Sequence, residues 1–234
     1  MVDVLAAPQQ GKADSALRTL TGISIAHWVS HFHLLVLPML FPFLKSQLGV
    51  GYIELGFALT VSAVVSGLTQ APTGYLVDHF GARRILLGGL ALGGFALILL
   101  GLHLSYASLI ACAVLLGLAN SVYHPADYAI LAEHMDEARM GRAFSVHTFA
   151  GYLGGAVAPA IVAALVTVSG GTGALIASGA IAVLVALLLV VMNIPDAGAH
   201  KTKPGNENAP KQRLPRPRRN WKGRPDILPM PPIS

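Results

Sequence analysis

The chain has 234 residues, of which 54% are apolar and 12% charged, and a formal net charge of +5; its mean hydropathy is +0.62. Soluble domains carry about 25% charged residues, so a water-facing globule is excluded. The charges gather at the two ends and in two short internal segments, which is the pattern of an integral, multi-pass membrane protein.

A helix crosses the hydrocarbon core with about 20 apolar residues, and six windows supply that length after an N-terminal segment, residues 1–19. The first, Leu20 to Leu44, is too long for a signal-peptide core, and no small-residue cleavage site follows it, so no cleaved leader is expected. It carries His27 and His31 one turn apart on one face, with His33 on another. Pro38 and Pro42 interrupt it, each removing a backbone donor and freeing a carbonyl. The second window, Tyr52 to Tyr75, carries Gln70 and a face of small residues, Gly67, Ala71 and Gly74. The third, Ile85 to His103, is almost free of polar groups and reads as a peripheral, lipid-facing helix.

After the short break HLSY comes the fourth window, Tyr106 to about Leu131. It holds Asn120, Tyr123, His124 and Asp127; the i,i+4 and i,i+3 spacings put Asn120, His124 and Asp127 on one face. Pro125 interrupts it beside His124. Cys112, the single cysteine, is also here, which excludes an intramolecular disulfide and a thiolate metal centre. The fifth window, about Ala143 to Val168, contains His147 and the run GYLGGAVAP; Gly151, Gly154, Gly155 and Pro159 predict a bendable helix. The sixth, Thr172 to Met192, is as apolar as the third. Residues 196–234 are rich in proline and basic residues, without amphipathic period, and read as a disordered tail.

Lys and Arg placement orients the bundle. Lys12 and Arg18, Arg83 and Arg84, Arg139 and Arg142, and the tail from Lys201 to Arg224 fall on one side, and Lys45 alone on the other. Both termini are expected in the cytosol. The basic balance then reflects topology, and no nucleic-acid partner is expected. Polar groups inside lipid are expensive and face partners or water. At about 1.5 Å per residue, His27, His31, Gln70, Asp127 and His147 fall in one layer of the cytosolic half, which predicts a hydrated cavity between the first, second, fourth and fifth helices. The sequence polar-with-proline, small-residue, apolar runs twice along the six windows, which predicts two three-helix repeats. Proline-interrupted helices at matching places in two halves point to a transporter's substrate site. No nucleophile–base pair or metalloprotease pattern is present, so no enzyme, cofactor or resident metal is expected.

Between the second and third windows stands GYLVDHFGARR. It resembles the loop signature G-x-x-x-D-R-x-G-R-R of the major facilitator superfamily. Gly74, Asp78, Gly81, Arg83 and Arg84 match; His79 and Ala82 depart. Gly74 is expected where another backbone approaches a helix end, Gly81 at a positive φ, and Asp78 at a helix N-terminus or paired with Arg83 or Arg84. The segments AHWVSHFHLLVLPMLFPFL, NSVYHPADYAILAEH and MGRAFSVHTFAGYLGGAVAP resemble a bacterial branch related to fosmidomycin-resistance-type exporters, with His31 where that branch often has an acid.

The resemblance covers 22–195 and implies an all-α, six-helix half bundle over residues 20–195 in a bacterial inner membrane. It implies secondary transport of a small organic solute, coupled to protons, with His27, His31, Gln70, Asn120, Tyr123, His124, Asp127 and His147 along the path. In the family the loop cluster latches two halves of twelve helices in the outward-open state. This chain supplies six, so the expected partner is a second six-helix half or a second copy. The alternative is a fragment that binds or scaffolds within the membrane without transport.

Overall fold

The prolines set the helix ends. In the computed structural model, which describes residues 7–198 and their side chains from Asp14 onward, α1 (Ala7–Met39) stops one residue after Pro38 and α2 (Phe41–Leu48) starts with Pro42 in its first turn. Pro42 has no N–H to return to the carbonyl of Pro38, and the Leu40 N–H splits between Val36 O at 3.2 Å and Leu37 O at 3.0 Å. Gly49, at φ 67°, closes α2 by donating to Lys45 O.

The same device recurs later. After α3 (Tyr52–Phe80) and α4 (Ala82–Leu102), α5 (Tyr106–Ser121) gives way to α6 (Tyr123–His134) at Val122, three residues before Pro125. The Val122 N–H falls back to Ala119 O at 3.4 Å. The Leu118 carbonyl it would have used accepts instead from Ser121 Oγ at 2.8 Å.

The last helical stretch, Glu137–Met192, is 56 residues long and contains one non-helical residue, Gly170, at φ 70° and ψ 176°. We treat its limbs as α7 (137–169) and α8 (171–192). Their contacts with α1 show that the chain reverses there. A side chain at Gly151 would meet His27, one at Gly154 would meet Trp28, and one at Gly155 would approach Leu35, so α7 runs parallel to α1. Gly22 faces Leu189, Met192 and Ile194, while Phe43 faces Gly171, so α8 runs antiparallel to it.

The other pairs follow. α4 and α8 are antiparallel, with Gly94 against the Gly179 carbonyl and Gly179 against the Gly94 carbonyl. α3 and α5 are parallel, tied by Tyr106 Oη to Glu54 O at 3.3 Å, Asn120 Nδ2 to Ser66 Oγ at 2.9 Å, and Thr73 Oγ1 with Ser121 Oγ at 3.0 Å. Five helices are long and apolar enough to cross a membrane, by length and composition, and Gly170 divides the longest. Among the described residues the structure is all-helical.

The burial pattern corrects one expectation. α4, expected to be peripheral, carries ten buried residues, with Leu86, Leu90 and Leu97 fully enclosed. In the most apolar stretch of α3 only 11% of residues are buried, against 50% in α4. α8 is also enclosed along one face by Ala174, Leu175, Ser178, Ala182 and Leu189. Lipid tails are as apolar as leucine, so apolar character alone does not separate a lipid face from a helix face; the glycines of α4 carry that information.

Packing also continues past the predicted end of the bundle. Asn193 takes a left-handed conformation, Ile194 and Ala197 are buried, and the Ala82 N–H donates to Ala197 O at 2.7 Å. The predicted disordered tail lies outside the described residues from 199 onward.

α7 gives a direct test. The helix runs through Gly151, Gly154, Gly155 and Pro159 without a break, so Gly151 and Gly154 act by close approach rather than by bending. A Cβ on Gly154 would strike the Trp28 backbone, whereas the nearest atom to a Cβ on Gly155 is 4.0 Å away. Gly154→Ala is therefore expected to lose about 1–3 kcal/mol, and Gly155→Ala to be neutral or to gain up to about 1 kcal/mol of helix propensity. Unfolding in detergent followed by circular dichroism checks both.

Candidate functional site

Three helices build the polar centre. α1 presents His27 and His31 a turn apart, with ring centres 4.7 Å from each other. The restart of the helix at Tyr123 turns His124 and Asp127 inward from α6. α7 contributes His147, and because Gly151 has no side chain the His27 ring lies directly against that helix. His27 stands 4.1 Å from His147 and 5.4 Å from His124, centre to centre. Asp127 is fully buried, His147 is 1% exposed and His27 4%.

The centre is crowded yet unsatisfied. Asp127 Oδ2 lies 3.7 Å from His27 Nδ1 and 3.6 Å from His147 Nε2, beyond hydrogen-bond length. Neither Asp127 oxygen has a hydrogen-bond partner among the described residues, and neither do both nitrogens of His147, His27 Nδ1 or His124 Nδ1. Buried polar groups are almost always paired, and this cluster holds most of the unpaired ones among the described residues. Ligand atoms of His27, Asp127 and His147 all fall within 4.8 Å of one another.

Beside it lies a cavity of about 160 Å³, lined by Ser30, His33, Ser62, Ser66, Asn120, Tyr123 and six apolar neighbours on α1, α3 and α5. A space of this size holds a molecule about as large as benzene. Tyr123 joins the two regions: it lines the cavity, its hydroxyl has no partner among the described residues, and it precedes His124.

The sequence-predicted path residues thus separate into two groups and one outlier. His27, His31, His124, Asp127 and His147 meet between α1, α6 and α7. Asn120 and Tyr123 line the cavity. Gln70 is exposed on α3 and joins neither, so the predicted single layer is two adjoining regions. His33 faces the opposite wall, with Nε2 3.1 Å from Ser178 O.

The loop cluster also differs from expectation. Gly81 does take φ 92°. The anion at the start of α4, however, is Asp196: its Oδ1 accepts from the Arg83 N–H at 2.9 Å and the Ala197 N–H at 3.0 Å. The Arg83 guanidinium bonds Asn193 Oδ1 at 3.0 Å and Val190 O at 3.4 Å. A Cβ on Gly81 would land on the Asp196 carboxylate. Asp78 and Arg84 stand exposed. Gly74 lies inside α3, with no atom within 4 Å of where its Cβ would be, and so marks neither a helix end nor a close approach. Sequence reasoning missed Asp196, which stands in the short segment IPDA just after the last apolar run.

Comparison with known proteins gives the wider context. A family model described as the Major Facilitator Superfamily matches residues 23–230. The Fosmidomycin resistance protein of Escherichia coli (strain K12) is 26% identical over 189 residues, covering 80% of this chain and 45% of the relative. The Probable L-galactonate transporter of the same organism is 24% identical over 144 residues, covering 62% and 32%. The Probable sulfoacetate transporter SauU of Cupriavidus necator is 28% identical over 141 residues, covering 60% and 33%. The chain spans less than half the length of each of these relatives. Among solved structures, a bacterial homolog to the human lysosomal transporter Spinster, inward-facing and unoccupied, superposes with a TM-score of 0.67 at 13% identity, covering 83% of this chain and 46% of that one.

The capping geometry is open to test. Asp196→Ala removes the acceptor for two backbone N–H groups and is expected to cost about 1 kcal/mol, the usual loss for a helix cap. Asp78→Ala, at an exposed position, should leave the unfolding midpoint in detergent unchanged.

Proposed function

The chain belongs to the Major Facilitator Superfamily, and from that premise we propose that it is one half of a secondary active carrier that moves a small organic solute coupled to protons. The buried Asp127 among His27, His124 and His147 is the observation that carries this reading. A carboxylate inside a bundle this apolar needs a counter-charge or a proton, and imidazoles change charge near neutral pH. A proton entering the cluster can rest on Asp127, one helical turn from Tyr123, or on a ring, and either choice alters the charge beside the cavity wall. The helix break at Val122 lies at that junction, where α5 and α6 can change their angle as the two regions fill and empty.

The pairing of helices supports two three-helix repeats, α1–α4 and α5–α8. Both begin with a helix that breaks at a proline. A two-fold exchange of the repeats would map the parallel pair α1 and α7 onto the parallel pair α5 and α3, and would return α4 and α8 to each other. The mutual contact of Gly94 and Gly179 sits where such an axis would pass.

A carrier built from rocking halves needs a partner. We assign that part to a second six-helix half or a second copy, docked on the exposed face of α3, where nothing approaches Gly67 or Gly74 and where Leu68 and Tyr75 face outward. Asp78, Arg83 and Arg84 would gate from the adjacent loop. The Lys and Arg distribution supports cytosolic termini and an inner bacterial membrane. The relatives named for L-galactonate and sulfoacetate transport favour a small organic anion as the solute.

Two outcomes are expected. Vesicles holding the chain with its partner should show flux of labelled L-galactonate, sulfoacetate or fosmidomycin under a pH gradient, and Asp127→Asn should reduce it to the level of empty vesicles while membrane insertion is retained. Wild-type flux equal to that of empty vesicles would leave only a binding or scaffold role. Separately, Gly74→Cys in a Cys112→Ser background should crosslink in native membranes to a second chain. A monomer on the gel after oxidation argues against docking on α3.

A further inference from the structure

The polar centre has the composition and spacing of a metal site as well as of a proton relay. Two imidazoles and one carboxylate from three different helices converge with their free atoms turned toward one another. The separations of 3.6 and 3.7 Å between Asp127 Oδ2 and the two ring nitrogens are too long for hydrogen bonds. They are close to the ~3.3 Å that separates ligands around a tetrahedral ion with bonds of about 2.0–2.1 Å. A shift of a few tenths of an ångström in each side chain closes that gap. All three side chains are more than nine-tenths buried, and the atoms that would bind have no other partner among the described residues.

We propose that His27, Asp127 and His147 bind a divalent first-row transition cation of the Zn²⁺ class, with solvent or solute in the fourth position. The donor set selects the class. Imidazole nitrogen suits zinc, cobalt and nickel, whereas magnesium and calcium favour all-oxygen shells. The one thiol, Cys112, packs in a different core cluster, with Phe32 and Leu109, so no soft ligand is at hand for monovalent copper. His124 stands beside the set, its ring centre 5.4 Å from that of His27, and its Nδ1 is also buried and unpaired among the described residues.

The second shell argues for a loosely held ion. Metal-binding histidines usually donate their other N–H to a carbonyl or carboxylate. His147 Nδ1 has no such partner among the described residues. Half-buried His31, one turn from His27 and against Tyr152 at 5.8 Å, offers a stepping point from the α1–α7 surface. An ion held this way exchanges with the medium, and it competes with protons for the same nitrogens.

This proposal does not depend on the carrier reading, and its test uses no flux. The full chain is purified in detergent with a tag that contains no histidine, then titrated with CoCl₂ while visible d–d absorption is followed. One ion per chain with tetrahedral bands, displaced by Zn²⁺, is expected. His27→Gln, Asp127→Asn and His147→Gln should each weaken binding by at least ~100-fold, and His103→Gln should leave it unchanged. Wild-type protein that elutes as one species with full helical dichroism yet shows no bands up to about millimolar Co²⁺ overturns the proposal, whether or not the variants fold. Binding that survives all three substitutions overturns it equally.

Discussion

A carboxylate with no exposed surface and no hydrogen-bond donor among the described residues is the constraint around which this bundle is organised. In water Asp127 would need no explanation. In an apolar bundle its charge costs several kcal/mol unless something compensates, and the groups beside it that can carry a positive charge are the imidazoles of His27 and His147. Each of the three helices around it carries one or two of them. The cluster therefore has few stable states: a shared proton, a cation, or both in alternation. Any occupant would be felt by α1, α6 and α7 at once, which is what the proposed exchange of a proton or cation requires.

The approach of α7 to α1 is what allows the cluster to exist. His27 and His147 stand 4.1 Å apart because Gly151 and Gly154 leave no side chain between the helices. Small residues permit this contact in a membrane, where association depends on packing rather than on hydrophobic gain. Gly94 and Gly179 do the same between α4 and α8. The bundle is thus joined by glycine seams, while its proline breaks fall at helix ends, at Leu40 within an apolar cluster and at Val122 beside Tyr123 and His124. Rigid seams and local breaks divide the labour between holding the site and changing it.

Much of this was legible in the residues, and the misses share a cause. Helix number, approximate bounds and the sharing of a face by His27 and His31, or by His124 and Asp127, follow from length and 3.6-residue spacing. So does the positive φ at Gly81. What one sequence could not show is which neighbour each face meets. Gln70 sat at the right depth but points away on α3. Asp78 carried the motif, yet Asp196, far along the chain, fills the acceptor position at α4. The glycines of α7 looked like bending points because a helical glycine reads the same whether it bends a helix or admits a neighbour.

The inversion of burial between α3 and α4 follows from the same limit and says something about the chain's surroundings. α4 is the more apolar helix and is half enclosed; α3 is less apolar and nearly bare. If lipid alone surrounded the bundle, the helix with glutamine, serines and threonines along its length would be the poorer choice for the outside. An exposed helix that carries Gln70, Thr60 and open glycines is better suited to another protein surface or to a wet cleft than to acyl chains. The polar content of α3 and the open Gly67 and Gly74 therefore mark this wall of the bundle as the one on which the proposed partner would dock.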